Sequence, residues 1–246
     1  MVATKIKYWQ NTYCYNSLTK IQASGKDEKG FFIIPESTIF YPAGGGQPMD
    51  VGYISVGKDE IKIIGTDFNS GAIKHYLASE REDIQNGEEV EMKIQSQIRL
   101  LNASLHTAGH WIAGIVTENL LLPFSPIKAY HYPDGPYIEF SGDKDLISDE
   151  IIDQINMAIK SDRQAQLKVT AEIIKEDLIS DTNYDLKLPN LNPNPGLPRR
   201  MVTIETYKAI GCGGTHVDSI YEIKDARASK IYLKNGKIRV GYEIAK

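Results

Sequence analysis

Only two cysteines, Cys14 and Cys212, occur in 246 residues. That is too few for a disulfide framework, and it predicts a reducing, cytoplasmic setting for a chain long enough to build its core without staples. No run approaches the roughly 18 consecutive apolar residues of a membrane span, so no membrane is expected among the partners. The opening MVATKIKYWQ also lacks the apolar stretch of a secretory signal. Positive charge is not in excess, with 28 Lys and Arg against 32 Asp and Glu and a net charge of -4. This excludes a broad basic coat for nonspecific nucleic-acid binding, although not a local phosphate contact. There is no internal repeat and no G-x-x-x-x-G-K-[ST] phosphate loop, and no ATP is expected.

What is present is an ordinary globular composition, 41% hydrophobic and 24% charged, arranged in two patterns. The first ninety or so residues carry short alternating runs, FFIIPES, GYISVG, EIKIIGTDF, AIKHYLA and EEVEMKI, broken by Gly, Asp and Asn. They predict a small β-barrel domain over 1–94. From Gln95 the spacing turns helical, with Ile98, Leu101, Leu105, Ala108, Ile112 and Ile115 on one stripe, and a second domain is expected over 95–246. DLISDEIIDQINMAIKSD reads as another helix, capped by Ser148 with Asp149 and Glu150 at its positive end. LKVTAEII, RMVTIETY, SIYEIK and KIYLKNGKIRVGYEI supply a largely antiparallel sheet, the last folding at Asn235-Gly236 into a two-residue hairpin. The proline-rich LKLPNLNPNPGLPRR is expected as a loop, with Arg199 and Arg200 in solvent. The fold class is therefore α+β.

The long helix contains LHTAGHW, which sets His106 and His110 one turn apart on the same face. That spacing suits a divalent metal, although on spacing alone a partly buried histidine pair at a helix border is the commoner explanation. IGCGGTHV adds Cys212 and His216, again four apart, with the soft thiolate that zinc accepts and magnesium or calcium does not. His106, His110, Cys212 and His216 are the candidate metal ligands, for Zn2+. A metalloprotease would place Glu directly after the first histidine, where this chain has Thr107.

HTAGH followed by CGGTHV resembles the metal motifs of the alanyl-tRNA editing domains, and STIFYPAGGGQPMDVGYI resembles the same family's glycine-rich segment through Thr38, Phe40, Tyr41, Pro42, Gly44, Gly45, Gly46, Gln47, Asp50 and Gly52. The resemblance runs from about Phe32 to Gly241. It implies a freestanding editing hydrolase of the AlaX type in its medium-length form, with a small glycine-rich barrel ahead of an α+β editing domain. It also implies a substrate, alanine tRNA mischarged with serine or, in some relatives, glycine. The loop 123–142 departs from the family pattern, and its Lys128 and His131 are expected to reshape the substrate pocket.

Ester hydrolysis needs little acceleration, and a metal that lowers the pKa of water or polarises the carbonyl suffices. Four protein ligands, however, fill a tetrahedral shell and also fit a structural site. A non-catalytic zinc-stabilised RNA-binding module and a hydrolase of some small ester therefore stay open. Thr38 and Gln47 are candidates for facing the metal and reading the serine hydroxyl, although Thr38 fits a strand residue equally well. Gly213 and Gly214 are candidates for donating backbone N–H groups to the reacting carbonyl. From Lys224 onward seven basic residues face only Asp225 and Glu243, and Lys230, Lys234 and Lys237 are candidate phosphate contacts or simply solvated lysines.

Overall fold

The computed structural model describes residues 3–69, 71–174 and 199–245. The expected proline-rich loop before residue 199 lies outside them. The chain divides into two compact units, the first from residues before 45 and from 48–100, the second from 45–47 and, among the described residues, 101–174 and 199–245.

In the first unit, β1 (Lys5–Ile6) pairs in parallel with β4 (Ser37–Thr38). The remaining strands are β2 (Asn16–Asp27), β3 (Gly30–Pro35), β5 (Gly52–Val56), β6 (Asp59–Asn69), β7 (Ala72–Leu77) and β8 (Glu89–Ile94). They close into a barrel in the order β2-β3-β7-β6-β5-β8. Strict alternation explains the closure: β8 is exposed at Glu89, Glu91 and Lys93 and buried at Val90, Met92 and Ile94. The inward set joins Ile21, Ile33, Ile54 and Ile63 in one core.

A buried ion pair anchors the segment that leaves the barrel. Arg99 donates from Nε to Asp50 Oδ1 at 2.9 Å, and Nη2 bonds Asp50 Oδ2. Nη1 reaches the Thr12 carbonyl at 2.8 Å, and Asp50 Oδ2 also accepts from the Tyr41 N–H at 2.6 Å.

The chain passes from one unit to the other inside α1 (Ser96–Gly114), between residues 100 and 101. In the second unit α1 is buried on nearly every side, including Ala103, His106, Thr107, Ala108, Trp111 and Ile112. The apolar stripe was thus only part of its contact surface. A π-turn over Ile115–Asn119 ends it.

The stretch 123–142, expected as a loop, is instead a hairpin of β9 (Ser125–Tyr130) and β10 (Tyr137–Ser141). Pro126 is tolerated because β9 lies at the sheet edge, where a missing N–H costs little, and the other prolines fall outside the two strands. With β14 (Arg227–Lys234) and β15 (Lys237–Glu243) it forms a four-stranded sheet ordered β14-β15-β10-β9. Asn235 and Gly236 have φ of 52° and 72° between Lys234 and Lys237, the left-handed pair that the hairpin expectation requires.

Helix α2 (Asp149–Ala165) packs on this sheet, its Asn156 bonding both backbone groups of Ala228. Ser148 occupies the cap position but makes no capping bond. A three-stranded sheet consists of β11 (Val169–Ile174), β12 (Arg199–Ile204) and β13 (Ile210–Gly211). SIYEIK is not a strand: Ile220–Glu222 is a 3-10 turn, closed by a reciprocal box between Ser219 and Glu222.

Removing Asp50 strands a buried guanidinium. Asp50→Ala should lower the unfolding free energy by about 3–5 kcal/mol. Asp59→Ala, which breaks the exposed pair with Arg81, should change it by less than about 1 kcal/mol. Denaturant titration of the two variants checks the contrast.

Candidate metal centre

The second unit brings His106, His110, Cys212 and His216 together, with one ligand atom from each lying within 4.8 Å of the others. The two histidines of α1 are positioned by helical spacing. Cys212 and His216 come from the turn after β13, and Cys212 Sγ stands 3.3 Å from His106 Nε2 and 3.4 Å from His216 Nε2.

The outer hydrogen bonds decide which nitrogen each ring presents. Gln47 Oε1 accepts from His106 Nδ1 at 2.7 Å and from the Thr215 N–H at 3.0 Å. Its amide donates to Thr215 Oγ1 at 2.9 Å. Nδ1 therefore carries the proton and Nε2 offers its lone pair. On the other side Thr107 Oγ1 donates to the Ala103 carbonyl at 2.8 Å, so toward His216 Nδ1, 3.1 Å away, it accepts. His216 is fixed as the same tautomer. Thr107 and Thr215, each adjacent to a metal-site histidine within the quoted motifs, carry roles that residue spacing alone did not reveal.

Close approach explains the glycines. A Cβ on Gly214 would lie 2.1 Å from His106 Cε1, and one on Gly109 would lie 2.2 Å from His131 Cε1. Neither position has the left-handed backbone that a tight turn would need. The Gly214 N–H donates to Cys212 Sγ, 3.3 Å away. Gly213 lies in the same turn.

His131 is buried and stacks on His106 with centroids 4.4 Å apart and planes at 24°. Its Nδ1 meets Tyr242 Oη at 2.6 Å, and that hydroxyl donates onward to the Leu105 carbonyl at 2.9 Å. Nδ1 must then be the donor, which leaves Nε2 as an acceptor without a hydrogen-bond partner among the described residues.

Arg200, expected in solvent, is buried and ties down the cysteine turn. Its Nη1 donates to the carbonyls of Cys212 and Gly214 at 3.0 and 2.9 Å.

Thr38 and His75 belong to the first unit. His75 Nδ1 faces the Ile73 carbonyl at 3.1 Å, so Nε2 accepts from Thr38 Oγ1 at 2.8 Å. Thr38 accepts in turn from the Phe40 N–H at 3.0 Å. Lys128, Lys230, Lys234 and Lys237 are exposed on one face of the four-stranded sheet, and none is among the converging ligands.

Burial sets the protonation states. It pushes His106 and His216 well below the ordinary imidazole value and His110 down to about 4, and it pushes the Cys212 thiol up. Arg200 adds to the depression of all three imidazoles and works against burial at the thiol. At neutral pH the imidazoles are already in their metal-binding form, whereas the thiol must still lose its proton. Zinc uptake at pH 7 should therefore release about one proton per ion, the thiol's, and affinity should rise with pH. Calorimetry in buffers of different ionisation enthalpy measures this, and release of two or more would mean that imidazoles also shed protons. Cys212→Ser should lose zinc, and Cys14→Ala should keep it.

The chain is similar to known proteins in both its parts. Residues 4–98 match the family model for class II (A) tRNA synthetases. An alanine–tRNA ligase of Caldivirga maquilingensis is 26% identical over 96% of this chain, and one of Korarchaeum cryptofilum 29% over 97%. The alanyl-tRNA editing protein AlaX-L of Pyrococcus horikoshii is 27% identical over 93%. The chain spans 26% of each ligase and 54% of the editing protein. Over most of its length it is thus similar to alanine–tRNA ligases and to an AlaX-type alanyl-tRNA editing protein.

Proposed function

We propose that this chain is a zinc-dependent hydrolase that deacylates alanine tRNA mischarged with serine, and by the same chemistry with glycine. The observation that carries the reading is the convergence of His106, His110, Cys212 and His216, with the ring tautomers of His106 and His216 preset. Two of these ligands are held by Gln47, which lies in the glycine-rich segment that carries the tRNA-editing resemblance, and by Thr107, which the structure adds. The donor set, three imidazole nitrogens and one thiolate, fits zinc. A bound zinc would supply Lewis-acid charge beside an ester carbonyl or an attacking water.

The chain's own residues then do the remaining work. Gln47 and Thr107 keep the rings turned with Nε2 inward. Arg200 holds the cysteine turn in place and adds positive potential where negative charge develops on the carbonyl oxygen. Gln47 has both of its polar ends committed within the site, so it acts as a positioning residue.

Two residues are candidates for reading the serine hydroxyl. Thr38 would have to surrender the proton it gives to His75. His131 offers Nε2, whose lone pair is unclaimed among the described residues and can accept a hydroxyl proton. Thr38→Val and His131→Phe separate the roles. The variant that lowers the ratio of seryl to alanyl deacylation, by up to about 10²-fold, while keeping zinc, identifies the reader.

A site with four protein ligands also suits a zinc-stabilised RNA-binding module. The deciding experiment is deacylation of alanine tRNA charged with serine, glycine or alanine. Release of serine with sparing of alanine is expected, together with loss of release in Cys212→Ala. No release from any substrate favours the binding module, and equal cleavage of free aminoacyl esters favours a small-ester hydrolase. Charge reversal at Lys230, Lys234 and Lys237 should weaken tRNA binding and flatten its salt dependence, because fewer counterions are released. An unchanged salt slope would return these lysines to a solvated face.

A further inference from the structure

The outer face of the four-stranded sheet carries tyrosines interleaved with cations. Alternation along β10 turns Tyr137 and Glu139 outward while Ile138 and Phe140 enter the core. Register then places Tyr130 and Lys128 beside them on β9, Arg239 and Gly241 on β15, and Tyr232 and Lys230 on β14.

The side chains form a continuous ladder. Tyr132 stacks on Tyr130 with centroids at 4.5 Å and planes at 11°, and Tyr130 stacks on Tyr137 at 5.5 Å and 20°. The Arg239 guanidinium covers Tyr137 at 4.1 Å, and Lys230 Nζ lies 5.0 Å from the Tyr232 ring. Glu139 is neutralised by Arg239 at 2.7 Å. Lys128, Lys234 and Lys237 remain exposed around the ladder, on a chain of net charge -4.

Beside it opens a cavity of 360 Å³, lined by Pro136, Tyr137, Lys230, Tyr232, Gly241 and Tyr242 among others. The size is that of a small-ligand site. A β-bulge creates one wall: Ala228 pairs with Tyr242 and Lys230 with Gly241, so Ser229 is extra and both Ser229 and Lys230 reach the cavity. Gly241 leaves space because a Cβ there would lie 3.2 Å from Lys230 Cγ and 3.3 Å from Ser229 Oγ. The carboxylates of Asp134 and Glu243 also line the cavity, bonded to the Tyr130 hydroxyl and to Arg227 respectively.

We infer that this face binds the unpaired 3′ nucleotides of the tRNA, with a nucleobase seated in the cavity between Tyr137 and Tyr232 and the phosphates on the surrounding lysines. The proposal rests on the tRNA reading given above and deepens it. Stacked aromatic rings interleaved with cations recognise single-stranded nucleic acid, whose bases are free to stack, and not duplex. The division of charge assigns the parts. Lys230, Asp134 and Glu243 at the cavity offer a base both a donor and acceptors, whereas Lys128, Lys234 and Lys237 around the ladder attract the backbone.

The test compares binding of uncharged alanine tRNA with that of the same transcript trimmed of its unpaired 3′ nucleotides. The wild-type chain should prefer the intact transcript by about tenfold or more, the contribution of one or two stacked bases. Tyr137→Leu with Tyr232→Leu should erase that preference and leave affinity for the trimmed transcript unchanged. Gly241→Val, which fills the cavity from a residue compatible with a strand, should do the same. Unchanged zinc content verifies that each variant is folded.

Equal binding of both transcripts by the wild type, or an intact preference in both variants, overturns the proposal. Because the RNA is uncharged, the outcome does not depend on hydrolysis. A preference that disappears in the variants, alongside a wild type unable to deacylate seryl tRNA, would support this face and reject the hydrolase reading.

Discussion

The arrangement depends on the orientation of two imidazole rings. A histidine can present either nitrogen, and a rotation of one ring would turn a donor where a lone pair is needed. Here the choice is made by neighbours that are themselves fully committed. Gln47 cannot release His106 without also breaking two bonds to Thr215. Thr107 has spent its hydrogen on the helix backbone and can only accept from His216. The cluster is therefore preorganised without metal, and its remaining adjustable group is the thiol, which burial raises and Arg200 partly restores. The same logic accounts for the small residues nearby: the rings could not sit this close to Gly214 and Gly109 if either carried a side chain.

Much of this was readable from local spacing. Histidines four apart on a helix, a cysteine and histidine four apart in a turn, alternating runs that close a barrel, and Asn-Gly at a hairpin all express short-range geometry. What escaped was set by partners distant in sequence. Arg200 follows a proline-rich stretch and reads as a solvated arginine, yet β12 turns it inward. Gln47 reads as a residue facing substrate, and the obligation it carries is to Thr215, 168 positions away. The hairpin at 125–141 reads as irregular because its prolines and tyrosines obscure the alternation. The edge position of β9 makes Pro126 harmless, and the hairpin's outward tyrosines stack on one another. SIYEIK misleads in the opposite sense, because a β-like composition is overridden by the box between Ser219 and Glu222.

The two units treat buried polarity differently. The first satisfies a full charge: Asp50 and Arg99 are both inaccessible, and between them they engage the backbone of Thr12, Ile39 and Tyr41. The second buries Arg200 on backbone carbonyls and, beside it, a cluster of imidazoles and a thiol that burial holds neutral. A paired charge of the first kind holds one geometry permanently. The imidazole and thiol cluster could hold a metal ion, and its groups have already been desolvated by the fold.

The bond between Gln47 and Thr215 has a bearing on how the molecule is made. The tripeptide 45–47 is enclosed by the barrel's sequence but clusters with the second unit, and its partner is synthesised 168 residues later. During translation the barrel strands can pair while Gln47 waits, since the turn that completes its hydrogen bonds has yet to leave the ribosome. Closing so long a loop carries an entropic cost that no local contact offsets, although the cost grows only with the logarithm of length. The four candidate ligands can therefore converge only after the turn at 212–216 has been made. A nascent chain passes through an interval in which Gln47, His106 and His110 are present without Cys212, Thr215 and His216.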